Sequence, residues 1–282
     1  KQYSFKTSLI GKIQITNLLM AVLAASQILS MDKIVKSLGK IRPVNGRLEQ
    51  IGKIKNHSMV ILDYSHTPDA LETCLKNIKE QFKHSNISLV FGCGGERDKQ
   101  KREIMGRIAN SLCDKIYLTD DNPRNENPDS IRKQVKKKIS KNKLKEIPSR
   151  REAIKIALQN LYSGDILVVS GKGHEMYQEY KTRKVFSDKY FINKFIKIKN
   201  NSLSNYWKTN ILKENLNINQ LSNKQKVQSV SINSNQIKSN QIFVGLKGKK
   251  FDGNKFADQA IKNKAIISMV DKIYKKKHPK KI

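Results

Sequence analysis

The sequence predicts an α/β protein in which a mostly parallel, doubly wound sheet is followed by a small, incomplete α/β domain. Three observations lead to this fold class. Short apolar runs alternate with segments of helical periodicity. Four of these runs end in polar or glycine-rich loops, as the strands of a doubly wound sheet do. After about Lys199 the composition shifts to Asn, Ser, Lys and Gln before a second alternating segment begins.

The N-terminal part contains two predicted helices and the first predicted strand. Apolar residues near 15–29 predict a buried helix, and residues 32–38 predict a shorter one. The apolar run 59–62 predicts a strand. Thr67 and Pro68 then predict a helix start, because threonine caps helices and proline fits the first helical position. The apolar residues of that helix fall at helical spacing: Leu71, Leu75, Ile78 and Phe82.

Three further strands alternate with helices in the main part. The strands are predicted at 87–91, 116–119 and 165–169. Helices are predicted around 104–112, after Asn127-Pro128, from the capping box Ser149–Glu152 to Leu161, and from Asp188 to about Lys197. The second alternating segment predicts strands near 227–232, 241–246 and 266–270 and a helix at 255–262.

The charge and the cysteines limit the function classes. The chain has 56 Lys and Arg residues against 24 Asp and Glu residues, which gives a net charge of +32. This charge suggests a nucleic-acid-binding module as one function class. The lysines are spread along the chain, without an RNA-binding aromatic signature or zinc-ligand spacing, so we expect no nucleic-acid partner.

Cys74, Cys93 and Cys113 lack paired spacing, which favours free thiols in the cytoplasm. The longest apolar run is too short for a bilayer, so we expect no membrane partner.

The most informative motif is Asp121-Asn122-Pro123-Arg124. It follows a predicted strand, which is where ligands bind in open α/β sheets. Arginine can bind a carboxylate through two parallel hydrogen bonds, and Pro123 stiffens the loop. The motif therefore suits an amino-acid substrate. The alternative is a surface turn with an exposed arginine.

Other strand-terminal loops add polar groups to this edge. Arg97, in a glycine-rich loop, offers a second carboxylate ligand, and Glu175 could accept hydrogen bonds from an ammonium group. Asp63 and His66 follow another strand, where Asp63 either binds ribose hydroxyls or belongs to a helix-capping loop. His174 beside Glu175 does not favour a metal site, because adjacent residues of an extended segment point apart. The set lacks a nucleophile and a metal cage, so we predict substrate positioning, with no catalytic or metal-binding residue.

Five ordered motifs resemble the Mur ligases: Gly46–Glu49, Asp63–Glu72, Phe91–Lys99, Thr119–Arg124 and Gly171–Glu175. The family has a UDP-sugar domain, a central P-loop ATPase domain and a Rossmann-like C-terminal domain. The resemblance implies that 1–40 is the tail of the central domain and that 41–198 is the whole amino-acid-binding C-terminal domain. Residues 199–225 would be a linker.

Within the family, the match is to the members that add meso-diaminopimelate to UDP-N-acetylmuramoyl-L-alanyl-D-glutamate for peptidoglycan synthesis. The resemblance implies ATP-dependent amide formation through an acyl phosphate. ATP and Mg²⁺ would bind mainly to the central domain, which we expect this chain largely to lack, so the fragment alone would be inactive. A folylpolyglutamate synthetase-like ligase shares the architecture and is a further alternative.

The resemblance also implies site residues. Those expected to bind diaminopimelate are Arg97, Asp121, Asn122, Pro123, Arg124, Gly171 and Glu175. Those expected to contact the nucleotide are Asn17, Arg47, Asp63 and His66. The family pattern Gly-x-x-Asn-x-x-Asn has Gln14 at its first asparagine here, whereas Asn17 is kept.

The second segment carries a separate resemblance. Residues 231–248 and 251–253 are similar to the N-terminal UDP-sugar domain of the Mur ligases that add D-alanyl-D-alanine. This implies a partial UDP-sugar domain at 226–282 and a fusion of two consecutive pathway enzymes. The usual Asp-Ser-Arg is Asn233-Ser234-Asn235 here, and the usual Gly-His is Gly253-Asn254, so sugar binding by this segment would be altered.

Overall fold

The computed structural model describes residues 2–52, 54–206, 212, 227, 229–248 and 251–271. The chain divides into two compact units, Lys1–Ile198 (unit 1) and Lys199–Ile282 (unit 2). The roles that the sequence predicts for 1–40, 41–198, 199–225 and 226–282 stay predictions. Most of the predicted linker and the lysine-rich C-terminal tail lie outside the described residues.

Unit 1 is built on a six-stranded sheet in the order β1-β2-β6-β3-β4-β5. The strands are β1 (Glu49–Gln50), β2 (Met59–Asp63), β3 (Ile87–Phe91), β4 (Lys115–Leu118), β5 (Leu144–Glu146) and β6 (Ile166–Ser170). Every neighbouring pair is parallel except β1 with β2. This confirms the predicted α/β fold class and its mostly parallel sheet. The sequence prediction missed β1 and β5 because they are two and three residues long and have no apolar run.

Six α-helices precede the last helix of unit 1: α1 (Lys12–Ser26), α2 (Met31–Leu38), α3 (Pro68–Gln81), α4 (Gln100–Leu112), α5 (Pro128–Lys136) and α6 (Arg150–Gln159). The main core packs side chains of α3, α4 and α5 against β2, β3, β4 and β6. Three predicted caps are present. Thr67, Asn127 and Ser149 each accept a hydrogen bond from a backbone N–H in the first turn of α3, α5 and α6.

The predicted burial of the first helix is wrong. α1 buries Leu18, but Leu19, Met20 and Leu23 are 50%, 65% and 67% exposed. Its small core consists of Leu9, Leu18, Ile34 and Leu38, together with partly buried neighbours. Apolar composition predicts a tendency to be buried, but in unit 1 this cluster covers only one face of α1.

The C-terminal part of unit 1 differs from the prediction in two ways. A two-stranded antiparallel hairpin, β7 (Tyr177–Glu179) and β8 (Arg183–Val185), follows β6 and was not predicted. The last helix, α7 (Asp188–Tyr206), continues past the predicted end near Lys197 and into the segment predicted as a linker.

Unit 2 contains a three-stranded parallel sheet in the order β11-β10-β9. Its elements are β9 (Ser229–Ser231), β10 (Gln241–Val244), a 3₁₀ helix (Gly253–Phe256), α8 (Ala257–Lys262) and β11 (Ile267–Met269). Asn254 is 1% exposed and donates to Asp252 Oδ1 at 2.7 Å and Asp271 Oδ2 at 2.9 Å. This residue therefore ties the 3₁₀ helix to the end of β11. Among the described residues of both units, no helix is long and apolar enough to cross a membrane.

Candidate functional site

A cavity of about 460 Å³, here called the loop cavity, lies where the loops after β2, β3, β4 and β6 meet. Its lining comprises Tyr64, His66, Thr67, Pro68, Gly94, Arg97, Asp98, Lys101, Asp121, Asn122, Arg124, Gly171 and Glu175. Six of the seven residues predicted to bind diaminopimelate are in this set, and Pro123 is not. The parallel sheet produces this grouping because the carboxyl ends of neighbouring parallel strands share one edge.

Glycines of the β3 loop allow the β4 loop to approach. A Cβ atom on Gly92 would lie 2.2 Å from the carbonyl oxygen of Thr119, and one on Gly95 would lie 1.9 Å from that of Pro123. Any side chain at these positions would therefore displace backbone. The sequence interpretation was that glycine lets a ligand approach the backbone. In the structure, these two glycines admit the neighbouring loop that carries Asn122 and Arg124.

Arg124 is fixed by protein contacts. Its backbone has φ 55°, in the left-handed region, and its N–H donates to the carbonyl of Glu179 at 3.0 Å. Its Nη1 donates to the carbonyl of Gly95 at 2.8 Å, and its Nε lies 3.3 Å from Glu179 Oε2. No described residue forms a hydrogen bond with Nη2, which leaves a donor for a ligand in the cavity.

The unpredicted hairpin β7–β8 supports the β4 loop. Gln178 donates from Nε2 to the carbonyl of Asp121 at 2.9 Å, and the Tyr180 hydroxyl donates to Asp120 Oδ2 at 3.0 Å. The N–H of Glu179 donates to Asn122 Oδ1 at 2.9 Å. The hairpin therefore holds the loop through both backbone and side chains. Three-residue strands gave too little periodicity for the sequence to reveal it.

Lys172 is a site residue that the sequence analysis missed. It has no exposed surface, and its Nζ donates to Asn122 Oδ1 at 2.9 Å and to Glu175 Oε2 at 2.8 Å. Asn122 Nδ2 also donates to Glu175 Oε2, at 3.0 Å. Burial raises the pKa of Glu175, but the Lys172 ammonium and the Asn122 amide outweigh burial and hold the pKa below its usual range. The signal available in the sequence was a lysine between two glycines.

A buried ion pair lies behind the cavity. Arg150 and Asp188 have fully buried side chains, and Arg150 Nη2 donates to Asp188 Oδ2 at 2.7 Å. Arg150 Nη1 lies 4.0 Å from Asp121 Oδ2, and neither atom has a hydrogen-bond partner within the described structure. Burial raises the pKa of Asp121, while the charges of Arg150 and Lys172 act in the opposite direction. Arg150 had been predicted only as part of a capping box.

Arg97 and Lys101 add two cations to the lining of the loop cavity, next to the carboxylate of Asp98. Arg97 is exposed and forms no ion pair with any described residue, so its guanidinium is available to a ligand. Lys101 donates from Nζ to the carbonyl of His66 at 3.0 Å. His66, predicted to contact the nucleotide, therefore lines the same cavity as the residues predicted to bind diaminopimelate. The predicted role of His66 stays a prediction.

A second cavity of about 540 Å³, here called the α1 cavity, contains the other three residues predicted to contact the nucleotide. Asn17 and Arg47 are exposed there, and the Arg47 guanidinium lies 4.8 Å from the centre of the Tyr64 ring. Asp63 accepts from the N–H of Leu48 at 2.7 Å and from the N–H of Ser65 at 2.9 Å. The Asp63 carboxylate therefore bonds to backbone N–H groups of two loops and not to the first turn of α3, and its predicted contact with the nucleotide stays a prediction.

His174 and Glu175 point to different surroundings. The His174 ring lies 5.5 Å from the Tyr64 ring, whereas Glu175 bonds to Lys172 and Asn122. Within the described residues, no group of three or more His, Cys, Asp or Glu side chains could hold a metal ion. The loop cavity can thus bind and orient a charged ligand through its own side chains.

Two protein-family models match parts of the chain. Residues 46–173 match the family model described as Mur ligase, glutamate ligase domain, and residues 226–279 match that of the Mur ligase family, catalytic domain. The chain carries domains of the Mur ligase family. In unit 1 the matched range contains the loops after β2, β3 and β4 and the start of the loop after β6. For unit 2, the predicted relation to ligases that add D-alanyl-D-alanine stays a prediction.

Two similar curated proteins are named UDP-N-acetylmuramoyl-L-alanyl-D-glutamate–2,6-diaminopimelate ligase. That of Rickettsia felis is 43% identical over 205 residues, which are 72% of this chain and 38% of the relative. That of Buchnera aphidicola is 41% identical over 197 residues, 69% of this chain and 39% of the relative. The chain thus spans about two fifths of the length of these Mur ligases.

Solved structures show the same relationship. A structure of a UDP-N-acetylmuramoyl-L-alanyl-D-glutamate–2,6-diaminopimelate ligase has a TM-score of 0.57 and 36% identity and covers 70% of this chain and 41% of that protein. UDP-N-acetylmuramate-alanine ligase from Thermotoga maritima has a TM-score of 0.52 at 19% identity, and the match covers 72% of this chain and 41% of that protein. The second likeness concerns the fold alone.

Proposed function

We propose that unit 1 is the amino-acid-binding part of a cytoplasmic, ATP-dependent ligase that adds meso-diaminopimelate to UDP-N-acetylmuramoyl-L-alanyl-D-glutamate. The relatives named for this reaction support the proposal. In such a ligase ATP, with Mg²⁺, would phosphorylate the carboxylate of the UDP-linked substrate and leave as ADP. The diaminopimelate amine would then attack the acyl carbon, and release of phosphate and of a proton would complete the amide. We assign binding of the amino acid to unit 1, and we do not assign the phosphate chemistry to it.

The observation that carries the proposal is the charge pattern of the loop cavity. Arg97 and Arg124 line it with guanidinium groups, while Asp121 and Glu175 line it with carboxylates. Diaminopimelate has two carboxylates and two amino groups, so each of its charges can find a partner of opposite sign. Lysine lacks the distal carboxylate and would leave one of the two guanidinium groups without a ligand carboxylate.

The proposal is tested by titrating this chain with meso-diaminopimelate and, separately, with L-lysine in a calorimeter. We expect diaminopimelate to bind more tightly, and Arg124→Ala to weaken its binding roughly ten- to hundredfold, because charge-assisted hydrogen bonds contribute about 1.5–3 kcal/mol. Arg107→Ala is the matched control, since Arg107 is an exposed arginine on α4 outside the cavity lining. Equal affinity for the two amino acids would contradict the proposal.

For unit 2 we propose a partial UDP-sugar domain of a second Mur ligase, one that adds D-alanyl-D-alanine, which would make the chain part of a natural fusion. The match of residues 226–279 to the Mur ligase family, catalytic domain, supports a relation of unit 2 to the family, and it does not support a UDP-sugar domain in particular. The buried, hydrogen-bonded Asn254 gives that position a structural role. A UDP-muramoyl tripeptide titration of the chain, with UDP alone as the control, tests sugar binding. If the UDP-muramoyl tripeptide bound with the same enthalpy and affinity as UDP alone, recognition of the muramoyl peptide would be contradicted.

A further inference from the structure

We propose that Lys172 is a positioning residue for the amino-acid substrate, whose buried ammonium orients Asn122 and Glu175 so that Glu175 presents one oxygen to a substrate ammonium group. This inference rests on the proposed function of the loop cavity. Lys172 itself is fully buried and is not part of the cavity lining. It would therefore act through its two neighbours and not by contact with the ligand.

The backbone around Lys172 is shaped to bury it. Gly171 and Gly173 have φ angles of 109° and 50°, which side-chain-bearing residues rarely adopt. A Cβ atom on Gly171 would lie 2.6 Å from Asp121 Oδ2, and one on Gly173 would lie 2.8 Å from Tyr64 Cβ. Both glycines are therefore required where the chain turns, and the residue between them points inward. This turn places the lysine against the cavity wall.

The hydrogen bonds fix which atoms face the ligand. Asn122 Oδ1 accepts from Lys172 Nζ and from the N–H of Glu179, so its amide nitrogen must face Glu175. Glu175 Oε2 then accepts from both Asn122 Nδ2 and Lys172 Nζ. No described residue donates to Glu175 Oε1. The carboxylate is thus held by one oxygen, while the other is available to an ammonium donor.

The inference predicts how substrate binding depends on pH. The titratable and charged groups around Glu175 in this wall and cavity are Lys172, Arg150, Asp121, Tyr64, Tyr177, Arg97, Asp98, Arg124, Lys101 and His66. Lys172 is the nearest cation and lowers the pKa of Glu175, so the carboxylate stays ionised as the pH falls. Without Lys172, Glu175 would take up its proton at a higher pH. Diaminopimelate affinity would then begin to fall at a higher pH than in the wild type.

The experiment measures diaminopimelate affinity by calorimetry across pH for the wild type, Lys172→Met, Glu175→Gln and the double variant. We expect Lys172→Met to weaken diaminopimelate binding about tenfold at neutral pH. In this variant, the loss of affinity on acidification should also begin at a higher pH than in the wild type. In the Glu175→Gln background, Lys172→Met should reduce the affinity for diaminopimelate little further, because Lys172 acts through Glu175. Lys155→Met, on the exposed surface of α6, is the matched lysine control.

A ligand-free readout separates this inference from the proposed function. Carbon-13 NMR of the Glu175 side-chain carboxyl should show its pKa rising in Lys172→Met, and hydrogen exchange of β6 amides checks that the variant is folded. Wild-type binding with an unchanged Glu175 titration in the variant would overturn only the role of Lys172. Absence of wild-type binding would overturn the proposed function, while the NMR titration would still decide whether Lys172 controls Glu175. If Lys172→Met does not fold, the Lys172→Gln variant replaces it, with the same expected direction.

Discussion

The loop cavity and the α1 cavity share the loop after β2 but are built differently. In the loop cavity, Arg124, Asn122 and Glu175 are held by hydrogen bonds from neighbouring loops and from the hairpin β7–β8. In the α1 cavity, Asn17 and Arg47 are exposed on a wall that includes a largely exposed apolar helix. The difference teaches that unit 1 preorganises the side chains of the loop cavity far more than those of the α1 cavity.

Preorganisation of this kind depends on charges that have no access to water. Arg150, Asp188 and Lys172 are all completely buried around the loop cavity. A buried charge that loses its partner is strongly destabilising, because the remaining charge cannot be hydrated. The wall of the α1 cavity lacks such a pair among the described residues, since Asp63 is held by backbone N–H groups and Arg47 lies over a ring. The two cavities should therefore respond very differently to substitution.

The largest expected effect is that of Arg150→Met. The variant leaves Asp188 buried without its cation, so we expect unit 1 to lose about 3–5 kcal/mol of stability. Hydrogen exchange of the β6 amides reports this loss for unit 1 alone. Arg151→Met is the control, because the neighbouring Arg151 is exposed and lies over aromatic rings. Equal effects of the two variants would show that the buried pair is not what stabilises the wall.

A smaller effect is expected from packing of the β3 loop. Gly95→Ala places a methyl group against the carbonyl of Pro123, so the loop that carries Arg124 must shift, at a cost of about 1–3 kcal/mol. Gly39→Ala is the control, because its methyl group would meet only the carbonyl oxygen of Lys6, at an ordinary contact distance of 3.7 Å, and Gly39 lies outside the loop cavity. Thermal unfolding and diaminopimelate titration compare the two. A stable Gly95→Ala variant with normal affinity would contradict the close packing of the two loops.

The smallest effect is expected on the outer face of α1. Met20→Gln should change stability by less than about 0.5 kcal/mol, since Met20 is 65% exposed and the two residues have similar helix propensity. Leu18→Ala on the inner face provides the contrast, at roughly 2 kcal/mol or more. Hydrogen exchange of α1 and α2 amides measures both. A large loss from Met20→Gln would reveal a contact on the outer face and would weaken the comparison drawn above.

Local patterns predicted most of the framework. Strands β2, β3, β4 and β6 follow from short apolar runs, and three helix starts follow from Thr67, Asn127 and Ser149. These signals work because capping and periodicity involve residues that are near one another in the chain. The strand-end rule also predicted that Arg97 and Arg124 would share a cavity. Whether they bind diaminopimelate stays a prediction.

The remaining features depend on partners that are distant in sequence. Arg150 and Asp188 are 38 positions apart, and Lys172 and Asn122 are 50 apart, so no local pattern identifies either pair. The exposure of α1 was missed for a related reason, because composition shows that a helix is apolar but not which of its faces is covered. Burial of a charged residue is decided by the assembled fold and not by its neighbours in the chain.

The hairpin β7–β8 has an evolutionary consequence. Gln178, Glu179 and Tyr180 hold the loop that carries Asn122 and Arg124 from a position more than fifty residues further along the chain. A change of loop sequence alone would meet a scaffold shaped for the old one. We therefore expect these two stretches to covary among homologues, and a chimera with altered amino-acid preference to require that both be transplanted together.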